Sequence, residues 1–338
     1  MMPVQLSHKK KVIIVLCLFI LAGVLVLTGL GYYLLSPATT GTPDQTFFVL
    51  EGSTLSAVAG DLETKEIIIR KSVFLVCARV MGYGRNIKAG EYRLNSGMSP
   101  LEILDILRRG AIVTHTVTIP EGFTREQIGR LLEQKSLVDK DEFMTLTGDP
   151  DVAASYGVSG PDLEGFLYPD TYQLSRGLTA KSVIDVLVNQ FWEVAAPFRG
   201  RLEELDMTLE QVVILASIVE KETGRAEERP IIASVFLNRL KKRKRLESDP
   251  TVIYGINNFD GNLRKKDLTS HTRYNTYVIR GLPPGAIANP GKEAIRAVLY
   301  PARTEYLYFV SKNDGSHHFS KTLSEHNRAV RIYQKKKR

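Results

Sequence analysis

The sequence predicts an α+β protein: one N-terminal membrane-crossing helix, a small α/β module, then a larger mixed α+β domain. Three observations predict it. Residues 12–35 form an uncharged apolar run. A strand–turn–helix pattern occurs twice, 70 residues apart. Beyond the second copy, apolar residues at helical spacing alternate with short β-rich and Gly/Pro-rich segments.

The apolar run, "VIIVLCLFILAGVLVLTGLGYYLL", follows "HKKK" at 8–11. At about 1.5 Å per residue it can cross a hydrocarbon core of ~30 Å. Tyr32 and Tyr33 suit the far interface, and lysines before the run with none just after it predict a cytoplasmic N-terminus. A cleaved signal peptide is the competing reading. Its apolar region is normally ~7–15 residues, shorter than this one, although "SPATT" offers a place to cut. The net charge of +8 among 338 residues implies an acidic partner. Export beyond the membrane points that charge toward anionic lipid or an acidic polymer and away from nucleic acid. Cys17 lies in the span, so Cys77 is the one exported cysteine and no intramolecular disulfide or CxxC site is available to the exported part.

The expected organisation is a tail at 1–11, a span at 12–35, a linker at 36–45, a module at 46–113 and a domain at 114–338. "FFVLEGSTLSAVAGDLETKEII" starts as a strand, turns at Glu51-Gly52 and continues with helical period through Leu55, Val58, Ala59 and Leu62. "VTIPEGFTREQIGRLLEQKSLV" repeats it, with Glu51/Glu121, Gly52/Gly122, Thr54/Thr124, Leu62/Leu132, Glu63/Glu133 and Lys65/Lys135 identical. Between the copies, "VFLVCARVMG" reads as a helix and "AGEYRL" as a strand. "SPLEILDILRRG" is a helix with Ser99 as N-cap, Pro100 at its first position and Gly110 past its end. Residues 139–200 read as helical with turns, interrupted by "LEGFLYPDTYQL".

"TLEQVVILASIVEKETG" then opens with a capping-box pattern, Thr208 and Gln211, and is apolar on both sides, as in a helix buried all round. "IIASVFLNRLKK" is a second apolar helix, "EYLYFVS" a strand, and "SEHNRAVRIYQKKKR" a final basic helix.

Two acids, Glu220 and Glu222, end the apolar run of the first of these helices. On a helix Glu220 shares a stripe with Ala216, Val213 and Leu209, while Glu222 lies nearly opposite, behind Ile218 and Leu215. Arg225 at i+3 would hold Glu222 ionised if the helix continued, whereas Glu220 has no cation one turn on. A partnerless acid in an apolar setting keeps its proton to higher pH and can serve as a general acid. The competing reading places both acids at a solvated helix end before "GRAEER".

Other chemistries lack their signatures. The sequence has no G-x-S-x-G, no S-x-x-K beyond the span, and no G-x-x-x-x-G-K-[ST] loop. None of the six histidines forms an H-x-x-x-H pair, and "GSHHF" with His326 reads as loop and helix cap rather than a metal site. "RLKKRKR" reads as a solvated helix end that an anionic polymer or lipid could use.

Taken together and in order, "LEGFLYPDTY", "ASIVEKET", "ERPIIASVFLNRL", "SDPTVIYG", "YNTYVIRGLPPGAIANPG", "PARTEYLYFV" and "HHFSKTLSEHN" resemble the bacterial MltG-type (YceG-like) endolytic murein transglycosylases. The resemblance covers about residues 46–333. It implies a LysM-like glycan-binding module near the membrane and a catalytic glutamate at the first acid of "VEKE", here Glu220. It implies peptidoglycan glycan strands as substrate, peptidoglycan synthases as partners, and no cofactor or metal. The reaction it implies uses no water: one glutamate protonates the bond between MurNAc and GlcNAc, then takes the proton of the MurNAc 6-hydroxyl as a 1,6-anhydro ring closes. Glu222, Asp249, Thr251, Tyr254, Tyr274, Asn275, Thr276 and Tyr277 are the expected groove residues. A wall-binding scaffold without catalysis is the alternative.

Overall fold

The computed structural model describes residues 8–39, 43–83 and 87–334. Contacts divide it into two compact units. The first comprises the described residues of Met1–His115 with Ser175–Leu178, and the second those of Thr116–Leu174 with Thr179–Arg338.

In the first unit, helix α1 (His8–Leu35) begins four residues before the expected span, so His8, Lys9, Lys10 and Lys11 belong to the helix instead of a tail. Lysine is a good helix former, and nothing between His8 and Val12 breaks the turn. The helix is long and apolar enough to cross a membrane, and its side chains are uncovered from Val12 to Leu27. Its last turns are not: Leu30, Tyr33 and Leu34 pack on the core of this unit, and the Tyr33 hydroxyl donates to the Arg70 carbonyl. Strand β1 (Gln45–Val49), helices α2 (Leu55–Thr64) and α3 (Lys71–Val80), strand β2 (Gly90–Leu94) and helix α4 (Pro100–Arg109) follow. The strands pair antiparallel, with Phe47 opposite Tyr92. Both side chains enter a core with Leu62, Phe74, Ile103 and Leu107. Helix α4 has the expected ends: a Ser99–Glu102 capping box, Pro100 inside the start, and Gly110 at φ 62°.

The second unit takes in strand β3 (His115–Thr118) from its second residue on, then helices α5 (Arg125–Gln134), α6 (Lys140–Thr147) and α7 (Pro150–Ser155). The segment that interrupts the helical pattern contains strand β4 (Thr171–Leu174), which pairs with β3. Helices α8 (Ala180–Ala195), α9 (Arg199–Leu205), α10 (Leu209–Glu222) and α11 (Arg229–Lys241) follow, then the short α12 (Asp249–Tyr254) and α13 (Lys265–Leu268) and helix α14 (Lys292–Leu299). Strands β5 (Tyr308–Ser311) and β6 (His317–Ser320) form a hairpin with Phe309 opposite Phe319, and α15 (Leu323–Tyr333) packs on it. The expected histidine loop is therefore a strand. Helices α10, α11 and α14 pack on one another. Val212, Val213, Leu215, Ala216, Ile218 and Val219 of α10 are fully buried, as its two apolar sides predict. Helix α10 thus has almost no freedom to shift, and whatever its C-terminal turn carries is held by the core.

Candidate active site

The C-terminal turn of α10 carries Glu220, whose side chain is 6% exposed. Thr208 and Gln211 cap the start of the helix reciprocally, and the chain leaves it at Thr223, which is extended at φ −146°. The chain then doubles back through Glu228. That carboxylate accepts the His317 N–H at 2.9 Å and meets His317 Nδ1 at 2.6 Å. The clamp fixes the start of α11, and Arg229, its first residue, reaches Glu220: Nη2 to Oε1 is 2.8 Å. The N–H of Gly291, just before α14, donates to the other oxygen, Oε2, at 3.0 Å. Three elements therefore orient one carboxylate.

The expectation that Glu220 lacks a cation is overturned. Arg229 lies nine residues on and is brought back by the turn at 223–228, a relation that helical spacing cannot display. With its oxygens bound by a guanidinium and an amide N–H, Glu220 is not the partnerless acid the apolar run implied. Nor is it the solvated carboxylate of the competing reading.

Glu222 is corrected in the opposite sense. Because α10 stops there, Arg225 is not one turn on; its guanidinium donates to the Asp314 carbonyl and lies near Glu227. Burial pushes the Glu222 carboxyl up to about 7, with the charge of Asp249 adding and the hydrogen bond from the Ser248 hydroxyl opposing. Glu222, Asp249 and Tyr277 line a cavity of about 350 Å³ with Glu247, Tyr308 and His326. The Tyr277 hydroxyl donates to Asp249 at 2.7 Å.

The remaining expected residues fall into two further groups. Thr251, Asn275 and Thr276 are fully buried. Thr251 and Thr276 share a 2.8 Å hydroxyl contact, and the Asn275 amide donates to the carbonyls of Asp267, Leu268 and Ser270. Their polar atoms hold the 248–276 region together, so they brace a groove instead of lining one. Tyr254 and Tyr274 do line one. Their rings meet edge-on at 4.8 Å in a groove of about 1030 Å³, with Arg125, Asp162, Glu164, Lys221 and Phe259.

Sequence reasoning passed over Glu121, Glu164, Arg229 and Gly291. Glu121 Oε2 lies 3.5 Å from the same Arg229 Nη2 that binds Glu220. Burial raises its proton affinity, the Glu220 charge adds, Arg229 opposes and Glu293 adds slightly. Glu164 is 2% exposed and pushed up to about 8, by burial first and by Asp162 second. Its Oε1 accepts the N–H of Arg125 at 2.9 Å and the amide of Asn289 at 2.8 Å. Asn289 in turn accepts from Gly165 and Leu167 and donates to the Phe123 carbonyl, tying the 121–123 turn to the strand of chain that ends at Gly291. The one available signal was the repeat, which singled out Glu121 without saying what faces it. Among the described residues no group of three His, Cys, Asp or Glu side chains is gathered as a metal site.

The sequence profile of the YceG-like family matches residues 47–332. An endolytic murein transglycosylase of Bacillus subtilis (strain 168) is 32% identical over 298 residues, which cover 83% of this chain and 82% of that relative. An endolytic murein transglycosylase of Streptococcus pneumoniae (serotype 2, strain D39) is 28% identical over 312 residues. They cover 83% of this chain and 56% of that relative, so the chain spans little more than half its length. A crystal structure of a yceG-like protein from Listeria monocytogenes aligns at a TM-score of 0.59 and 34% identity, over 86% of this chain and 100% of that one.

Proposed function

The chain belongs to the YceG-like family, and from that premise we propose that it is a lytic transglycosylase cutting peptidoglycan glycan strands within their length. One observation carries the reading: Glu220, the acid the family resemblance singles out, is held at the buried end of α10 by Arg229 and the Gly291 N–H. A carboxylate fixed in this way can take a proton at a defined place. The MurNAc 6-hydroxyl supplies that proton, and its oxygen closes on C1 as the bond to GlcNAc breaks, leaving a 1,6-anhydro end.

The same reading places α1 across the membrane with the N-terminus in the cytoplasm, residues 46–113 as a LysM-like glycan-holding module, and peptidoglycan synthases as neighbours. Glycan would run past Tyr254 and Tyr274, with Asp249, Tyr277 and Glu222 near its path. Anchoring raises the local concentration of enzyme at new strands without any added contact.

Full-length protein in detergent, incubated with isolated glycan strands in heavy-oxygen water, tests this. Unlabelled anhydromuramyl ends are expected. Labelled reducing ends would reveal a hydrolase, with a second carboxylate such as Glu222 or Asp249 activating water. Binding without cleavage would leave a wall-binding scaffold.

A further inference from the structure

The geometry points to Glu121 as a second catalytic carboxyl: it donates the proton to the departing GlcNAc oxygen, while Glu220 takes the proton of the MurNAc 6-hydroxyl. The inference rests on the transglycosylase reading and divides between two residues what that reading would ask of one.

Three observations lead here. First, both known contacts of Glu220 are donors, a guanidinium and an N–H. They complement a carboxylate and offer no acceptor for an acid proton, so Glu220 is built to receive a proton at the start of the reaction, not to give one. Second, Glu121 shares Arg229 Nη2 with Glu220 and its side chain is 48% exposed against 6% for Glu220, so it is the more open of the two to an arriving strand. Third, the Glu121 carboxylate lies directly over Gly291, where an added Cβ would collide with its oxygen and Cγ. The residue whose N–H binds Glu220 thus has no side chain where Glu121 rests. The groups facing Glu121 are Glu220 from α10, Arg229 from α11, Glu293 from α14, and Tyr168, while Lys221 of α10 donates to the neighbouring Gly122 carbonyl at 3.1 Å. Burial and the two carboxylates raise its proton affinity against Arg229, the direction a proton donor needs. Glu222 also holds a proton to higher pH, but it lies nearly opposite Glu220 on α10, where it lines a cavity with Asp249 and Tyr277.

The step balances without water. Glu121 gives its proton to the glycosidic oxygen, and the C1–O bond breaks with its electron pair going to that oxygen. O6 bonds to C1 and its proton passes to Glu220. GlcNAc leaves with a free hydroxyl and MurNAc as the anhydro sugar. Glu121 is then ionised and Glu220 protonated, and exchange with solvent after product release restores both.

The test compares two substrates of the full-length protein: glycan strands, and a dinitrophenyl glycoside of a MurNAc-ended saccharide, whose leaving group needs no proton. Glu121→Gln should lose about 100-fold or more on strands and stay within a few-fold of wild type on the dinitrophenyl glycoside. Glu220→Gln should lose both. Wild type should show a rate that falls as pH rises on strands, and this falling limb should vanish on the activated substrate. Unchanged strand cleavage by Glu121→Gln overturns the inference. Equal loss on both substrates overturns it too, since Glu121 would then only position Arg229. Rescue of Glu220→Gln by the activated substrate would return the acid role to Glu220. Wild type that yields no anhydro ends from either substrate defeats the transglycosylase reading itself, a result distinct from all of these.

Discussion

Gly52 and Gly122 adopt φ of 77° and 75°, Thr54 and Thr124 cap the helices that follow, and Lys65 and Lys135 close them at φ −86° and −87°. Glu66 and Ser136 come next, at φ 57° and 55°. The two copies of the strand–turn–helix unit are thus the same local object, down to the residues that start and stop the helix. Their surroundings differ. Glu51 is exposed at its turn, whereas Glu121 meets Arg229 beside Glu220. In the second copy the first N–H of α5, Arg125, is taken by buried Glu164. Local sequence builds the turn; what later segments bring to it decides whether the turn takes part in chemistry.

The largest effect should come from the residue facing the second copy. Glu220→Gln keeps the shape and an acceptor for Gly291 but cannot bind the 6-hydroxyl proton. Anhydro-end formation from glycan strands should fall about a thousandfold or more, with circular dichroism unchanged. Glu51→Gln, the matched acid position of the first copy, should stay within twofold. If Glu220→Gln keeps its activity and Glu222→Gln is dead, the catalytic role belongs to the other side of α10 and the comparison loses its point.

Glu164 sharpens the contrast through pH. Its folded-state value of about 8 lies above the ordinary 4.5. Between those values the unfolded chain has lost a proton that the folded chain keeps, so stability falls as pH rises from about 4.5 to about 8 and levels off above. Glu164→Gln can still accept from Arg125 and Asn289, and its amide can donate to the Tyr254 hydroxyl. It should therefore match wild type at pH 5 and exceed it at pH 9 by on the order of 1–3 kcal/mol in urea melts. Equal stability of the two proteins at both pH values would mean that Glu164 is ionised in the folded state.

Much of this scaffold was legible in the linear sequence. Helix α10 announced itself by its capping box and its apolar period, α4 by Ser99, Pro100 and Gly110, and the repeat by six identical pairs. Glu220 could be nominated from its place on the helix and from family resemblance. Its partners could not. Arg229 read as one more charge in "GRAEER", and Gly291 lies 71 residues away in a loop without period. Helical spacing reports neighbours three and four residues apart. Contacts made by a chain reversal, or by a distant loop laid across a helix end, leave no such mark. The same blindness bears on Thr251, Asn275 and Thr276, whose polar side chains suggested a groove but are fully buried where they join α12 to the 267–276 loop and hold that loop together.

The smallest expected difference separates the two helix caps. Thr54 accepts from the Ala57 N–H, and alanine at that position has no side chain to reach back. Thr124 accepts from Gln127, whose own side chain takes the Thr124 N–H at 2.9 Å. Replacing either threonine by alanine removes one cap bond and should cost about 1 kcal/mol. In the second copy Gln127 can still hold the backbone of residue 124 after the change, and Glu164 still holds the N–H of Arg125. Thr124→Ala should therefore loosen its helix start less than Thr54→Ala, by a few tenths of a kcal/mol. Amide exchange at 57 and 127 in the two variants measures this directly. A larger loss of protection at 127 than at 57 would show that the second copy leans on its threonine, and that Glu164 and Gln127 do not brace the turn that presents Glu121.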